Sequence, residues 1–188
     1  LSVTSVGIIP SMPELPEVET VRTGLQRLLP QRTVCSVQSD TEKSFPNAPS
    51  DVKAFLIGAT IRRIRRRAKV LMIDLSTEYS LVIHLKMTGQ LVFVGAERFG
   101  AGHPNDSLIG KLPDRSTRVA LTFIDGSQLF FNDQRKFGWM RLMPTIEVEQ
   151  LDFFKKVGPE PLSAEFTTEA FIARLQRRKK TSIKAALL

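Results

Sequence analysis

Met12-Pro13-Glu14-Leu15-Pro16-Glu17-Val18-Glu19-Thr20 is the most informative segment of this chain. From Leu15 the apolar positions run Leu15, Val18, Val21, Leu25 and Leu28, with Leu29 beside them. That spacing predicts a helix with one core-facing stripe. Pro16 suits its first turn, Glu17 and Glu19 suit the positive end of its dipole, and Pro30 ends it. Pro13 and Glu14 therefore sit just ahead of a helix mounted on a buried stripe. If the mature chain starts after Met12, Pro13 becomes a free secondary amine. An α-amino group has a pKa of about 7.7–8.0, so part of it is neutral near pH 7. It can then attack an electrophilic carbon, as amine nucleophiles do, with Glu14 beside it to move protons. The plainer alternative is Pro-Glu punctuation before a helix.

The chain has 188 residues and is 42% hydrophobic, enough for a sizeable core in one large or two small domains. Twenty-seven Lys and Arg against 19 Asp and Glu leave a net charge of +8. That excess favours a polyanionic partner, nucleic acid before an anionic membrane. No apolar run reaches the length of a membrane span. The single cysteine, Cys35, excludes an internal disulfide framework and, alone, a Cys-type zinc site. Its alternating surroundings predict a buried small hydrophobe. A reducing cytoplasm fits this usage. Residues 1–11 lack the features of a signal peptide and are expected to lie outside the mature protein.

The centre of the chain is rich in strand signals. Residues 34–37 read as a strand, 40–50 as a loop, and 52–57 as a short helix closed by Gly58. Six of the eight residues from Arg62 to Lys69 are basic, and they lead into the apolar run Val70-Leu71-Met72-Ile73. Strands are expected at 79–85 and 91–94. Residues 95–115, rich in Gly, Pro, Asn and Asp, read as a long loop. Residues 118–124 and 128–132 form a hairpin across a two-residue Asp125-Gly126 turn. A short helix is expected over 145–157. Gly158-Pro159-Glu160-Pro161-Leu162 is a stiff linker, and Thr167 caps a further helix with Phe171, Ile172 and Leu175 inside. Its end, Arg177-Arg178-Lys179-Lys180, complements the negative end of the helix dipole.

Four ordered segments carry a resemblance. These are the P-E-L-P-E-V-E start, Arg66-Arg67-Ala68-Lys69-Val70, His84-Leu85-Lys86-Met87-Thr88-Gly89, and Asn132-Asp133-Gln134-Arg135-Lys136-Phe137-Gly138. Each alone has a structural explanation: a charged strand, a core Met near a turn, a packed Phe at a hairpin end. Together, in this order, they resemble the bacterial formamidopyrimidine-DNA glycosylases, over residues 12–188. The G-P-E-P-L linker and Thr181-Ser182-Ile183-Lys184 also resemble that family. Leu15, where endonuclease VIII relatives specific for oxidised pyrimidines carry Gly, favours the oxidised-purine branch.

The resemblance implies an α+β fold: a β-sandwich flanked by helices over 12–157, a linker over 158–166, and from 167 the beginning of a helix–two-turn–helix domain, truncated here. It implies base-excision repair of 8-oxoguanine and formamidopyrimidines through a Pro13 imine, then strand cleavage by β,δ-elimination. Pro13, Glu14 and Lys69 are the implied catalytic residues. Met87, Arg135 and Phe137 are the implied wedge in the DNA stack, with Ser116 standing where the family often has a DNA-contacting His. Lys179, or Lys180 as second choice, is the implied phosphate contact. The implied partner is double-stranded DNA bearing oxidised purines, met by a monomer in the bacterial cytoplasm, nucleoid-associated and off the membrane. No cofactor is expected in this chain; the family's structural zinc is expected in a C-terminal segment. Two other classes fit composition: an inactive module that binds damaged DNA, and an RNA- or ribosome-binding β protein.

Overall fold

The computed structural model describes residues 13–178 and 180–183, residue 156 by its backbone alone. Two compact units are present, one up to Leu151 and one from Asp152.

In the first unit, α1 spans Leu15–Leu28, its stripe of Val18, Val21, Leu25 and Leu28 buried. Nine strands follow: β1 Val34–Ser39, β2 Ile61–Arg67, β3 Val70–Leu75, β4 Tyr79–His84, β5 Gly89–Val94, β6 Arg98–Gly102, β7 Thr117–Phe123, β8 Gln128–Asp133 and β9 Trp139–Pro144. They form two antiparallel sheets, ordered β1-β7-β8-β5-β6 and β2-β3-β4-β9. Alternate residues on the facing sides, such as Leu71, Ile73, Leu81 and Ile83 from one sheet and Leu91, Phe93, Leu121 and Phe131 from the other, share one core with the α1 stripe. The fold is α+β, a two-sheet sandwich with a few helices. No helix among the described residues is long and apolar enough to cross a membrane.

The basic run at 62–67 is the edge strand of the smaller sheet. Its inward residues Ile61 and Ile64 are buried, and the Ile64 N–H donates to Gln26 Oε1 of α1 (2.6 Å). A helix side chain thus covers an edge that would otherwise be open. Most of its arginines already face carboxylates: Arg62 pairs with Glu78 (2.7 Å), Arg63 and Arg65 with buried Asp74 (2.8 Å each), and Arg66 with Glu19 (2.7 Å).

Several expectations are corrected. Cys35 is exposed, because Val34 takes the inward position and the pleat turns its neighbour outward. The stretch 95–115 contains β6 and a 3-10 turn, Asp106–Leu108. Its small residues hide the strand alternation because the helix lies close: a Cβ on Gly24 of α1 would fall 2.0 Å from the Phe99 ring. The β7–β8 turn has three residues, not two. Gly126 donates to Phe123 O (2.9 Å) and adopts φ +81, closing a turn centred on Ile124 and Asp125. The expected helix at 145–157 is two, α3 Thr145–Val148 and α4 Asp152–Lys156. A π-helical turn, Val52–Leu56, continues the short α2 at Pro49–Asp51.

In the second unit, α5 spans Thr168–Arg177, and Thr167 Oγ1 accepts from Ala170 N (3.2 Å) as its cap. Phe166 and Phe171 rings meet at 5.6 Å, while Ile172, expected inside, is 47% exposed.

The Gly24–Phe99 contact generates a test. Gly24→Ala adds helix propensity yet should destabilise the protein by ~1–3 kcal/mol through overpacking. Adding Phe99→Leu should restore part of the loss in chemical denaturation. A stabilised single variant would show that the ring yields freely.

Candidate functional site

Three adjacent strands of the smaller sheet bring the motifs to one place. Val70 of β3 pairs with His84 of β4, and His84 pairs with Trp139 of β9. Lys69 immediately precedes Val70, Met87 lies just past His84, and Phe137 and Gly138 lead into Trp139. The basic motif, the Met loop and the Arg-Phe turn therefore leave the same end of one sheet.

At the first of these, Lys69 Nζ lies 2.5 Å from Glu14 Oε2. Glu14 is the N-cap of α1, and its backbone N–H donates to Glu17 Oε2 (3.0 Å). Glu17 thus fixes the backbone from which the Glu14 carboxylate reaches Lys69, and buried Pro13 precedes it. Ala68, in the β2–β3 turn, has φ +48. Sequence motif and fold together place Pro13, Glu14 and Lys69 as one group.

The second group is built on Asp133, which is 0% exposed. Its carboxylate accepts from Gly138 N (2.6 Å), Arg135 N (3.2 Å) and the Thr88 hydroxyl, while Thr88 Oγ1 also accepts from Arg135 N (3.0 Å). Its own N–H donates to Ser116 O (2.7 Å). These bonds tie 85–88 to 135–138 and leave the large side chains outside: Met87 is 38% and Phe137 46% exposed. The Arg135 guanidinium sits 5.1 Å from the Phe137 ring centroid, and Lys43 Nζ lies 5.6 Å from the same centroid. An exposed thioether and a ring flanked by two cations suit insertion into a base stack flanked by phosphates. Sequence reading missed Lys43, which reaches the ring from the 41–47 loop; nothing in its own neighbourhood signals that contact.

Ser116, expected where the family often has a DNA-contacting His, does not lie open to solvent. It is buried, and its hydroxyl donates to Asp114 Oδ1 (2.7 Å) and meets Ser107 Oγ at 3.0 Å. Burial pushes the Asp114 carboxyl up, but hydrogen bonds from Ser107, Ser116 and the backbone outweigh it and hold the group below its ordinary value. The Ser116 backbone carbonyl holds the end of β8 through the Asp133 N–H. Lys179 lies outside the described residues. No group of three His, Cys, Asp or Glu among the described residues could hold a metal ion.

His84 carries the largest pH sensitivity of the site. Burial pushes its pKa down from 6.5 to about 4, and the charges of Lys86 and Lys69 push the same way. Its Nδ1 accepts from Lys86 N (3.1 Å), a bond that only the unprotonated nitrogen makes. The folded pKa is depressed for a base, so the unfolded chain takes up the proton first. Stability should therefore fall as pH drops from 6.5 toward 4, by roughly 2 kcal/mol once partial exposure is allowed for. Denaturation at successive pH values should show this slope between pH 6.5 and 5, above the range where the carboxylates titrate. His84→Gln should flatten it, and a His84 imidazole titrating near 6.5 by NMR would contradict it.

The same sequence segments recur in known proteins. Residues 12–140 match the formamidopyrimidine-DNA glycosylase N-terminal domain. The formamidopyrimidine-DNA glycosylases of Cereibacter sphaeroides and Chloroflexus aurantiacus are 39% and 40% identical, each over 94% of this chain. The chain spans 60% and 58% of those relatives' lengths. Among solved structures, a complex of the Lactococcus lactis Fpg with DNA containing an abasic site superposes with a TM-score of 0.74 at 30% identity, covering 93% of this chain and 60% of that one. A complex of that Fpg with DNA containing N7-benzyl-Fapy-dG gives 0.71 at 29% identity, covering 88% and 56%. With the domain match spanning most of its length and the motifs gathered at one sheet end, the chain belongs to the formamidopyrimidine-DNA glycosylase family.

Proposed function

We propose that this chain is the catalytic part of a bifunctional DNA glycosylase/AP lyase that removes oxidised purines from double-stranded DNA. The observation that carries the reading is the Lys69–Glu14 contact at 2.5 Å, on the helix whose entrance bears Pro13. Freed of the residues before it, the Pro13 nitrogen attacks C1′ of the damaged nucleotide. The bond from C1′ to the base breaks, and the base leaves with its electron pair and a proton. Glu14 protonates the opening sugar oxygen, and the ring-opened sugar remains joined to Pro13 as an iminium. That cation acidifies the C2′ hydrogens, and loss of one expels the 3′ phosphate; a second elimination expels the 5′ phosphate. Lys69 anchors the strand phosphate and assists the proton transfers.

Met87, Arg135 and Phe137 fill the space left by the extruded nucleotide, offsetting part of an unstacking penalty of a few kcal/mol. The relatives of known structure support this assignment, being complexes with abasic-site and Fapy-dG DNA. Lys179 as a phosphate contact, the catalytic domain over 12–157 with a helical DNA-binding domain from 167, a zinc in a C-terminal segment, action as a monomer, and a nucleoid-associated place in the cytoplasm all belong to this reading. They rest on the family resemblance.

The test is borohydride trapping on a duplex carrying 8-oxoguanine opposite cytosine. The full-length protein started at Met12 should give a covalent adduct that maps to Pro13. The same protein with 1–11 retained should give none, because its Pro13 nitrogen is an amide. No adduct from either form, with DNA still bound, would leave a damage-binding module in place of an enzyme.

A further inference from the structure

We infer that Arg66 and Glu19 form a strut that positions Lys69, an inference that rests on the glycosylase/lyase reading above. The Arg66 side chain is 3% exposed. Its Nε donates to Glu19 Oε2 (2.7 Å), and its Nη1 donates to Ala68 O (2.9 Å). One planar guanidinium therefore joins α1 to the carbonyl immediately before Lys69. Ala68 sits at φ +48, a left-handed conformation that a side chain disfavours and that outside contacts must hold.

Glu19 is itself gripped from the other side. Arg22 Nε donates to Glu19 Oε1 (2.8 Å) and its Nη2 lies 2.7 Å from the same oxygen. Burial pushes the Glu19 carboxyl up, but the two guanidiniums outweigh it and hold the group below its ordinary value. Glu19 remains an anion at neutral pH.

The result is a closed frame. Glu14 and Glu19 both project from α1; Glu14 meets Lys69, and Glu19 reaches Ala68 through Arg66. The helix that presents Pro13 and the turn that presents Lys69 cannot shift independently. A buried ion pair adds little net stability compared with apolar residues of the same volume. What this pair supplies is direction, and only a planar fork can serve both acceptors at once. Arg66 and Glu19 are positioning residues, acting through the Ala68 carbonyl and α1.

The experiment uses full-length protein starting at Pro13 and single-turnover reactions on the 8-oxoguanine duplex. Arg66→Lys keeps the charge but loses the fork, and should slow base release and imine trapping about 10²-fold with duplex affinity unchanged. Glu19→Gln should slow them in the same sense. On a Lys69→Ala background neither substitution should add a further loss, since the residue they position is gone. Equal losses with and without Lys69 would overturn the strut, as would an unimpaired Arg66→Lys. A second readout needs no turnover. Reductive methylation mapped by mass spectrometry should modify Lys69 faster in Arg66→Lys than in the parent; an unchanged rate also overturns the inference. A parent protein that traps nothing would defeat the proposed function, while the methylation result would still report on the strut.

Discussion

The working end of this protein depends on one buried carboxylate. Asp133 has no exposure, and its carboxylate accepts from the Thr88 hydroxyl and the amides of Arg135 and Gly138. A buried anion is expensive unless every acceptor site is used. These donors come from two separate loops, so the loops must converge. Their convergence turns Met87 and Phe137 outward, against the ordinary preference of such side chains for the core. A second clamp acts on the same residue: buried Arg118 donates to Asp133 O (2.8 Å), to Arg115 O (2.6 Å) and to Asp40.

The rest of the sandwich acts as a mount. Strand pairing Val70–His84–Trp139 aligns three chain reversals at one sheet end. Leu71, Ile73, Leu81 and Ile83 keep the sheets together, while the residues with chemistry lie where the strands end. Loops at strand ends tolerate polar and charged side chains because their backbone is not consumed by the ladder. The site thereby combines a rigid base with exposed groups.

Much of this was legible in the chain because helical and strand periods are local. The 15–29 stripe gave α1 its span, and the 118–132 alternation gave the β7–β8 pair. The proposed catalytic and wedge positions were legible only through the resemblance, since a Met near a turn or a Phe after an Arg has no distinctive local chemistry. What escaped depends on register. The sequence shows a charged strand leading into a buried one, but only pairing across the sheet shows that Asp74 lies opposite Arg63. The burial of Ser116 was not legible because a position in a motif says nothing of burial. Cys35 was misjudged because in a strand one residue decides which face a neighbour takes.

The pairing of the β2 arginines bears on how the surface attracts a polyanion. Free cations on a protein gain affinity for nucleic acid by displacing counterions condensed on the phosphates. Arg63, Arg65 and Arg66 each already hold a carboxylate, and a phosphate must compete with that partner before any ion is released. Six basic residues in eight therefore do not act as six binding charges. Long-range attraction comes from the whole excess of +8, while β2 contributes shape and alignment. A surface of this kind, with its arginines already paired, attracts a polyanion less along β2 than its charge count suggests.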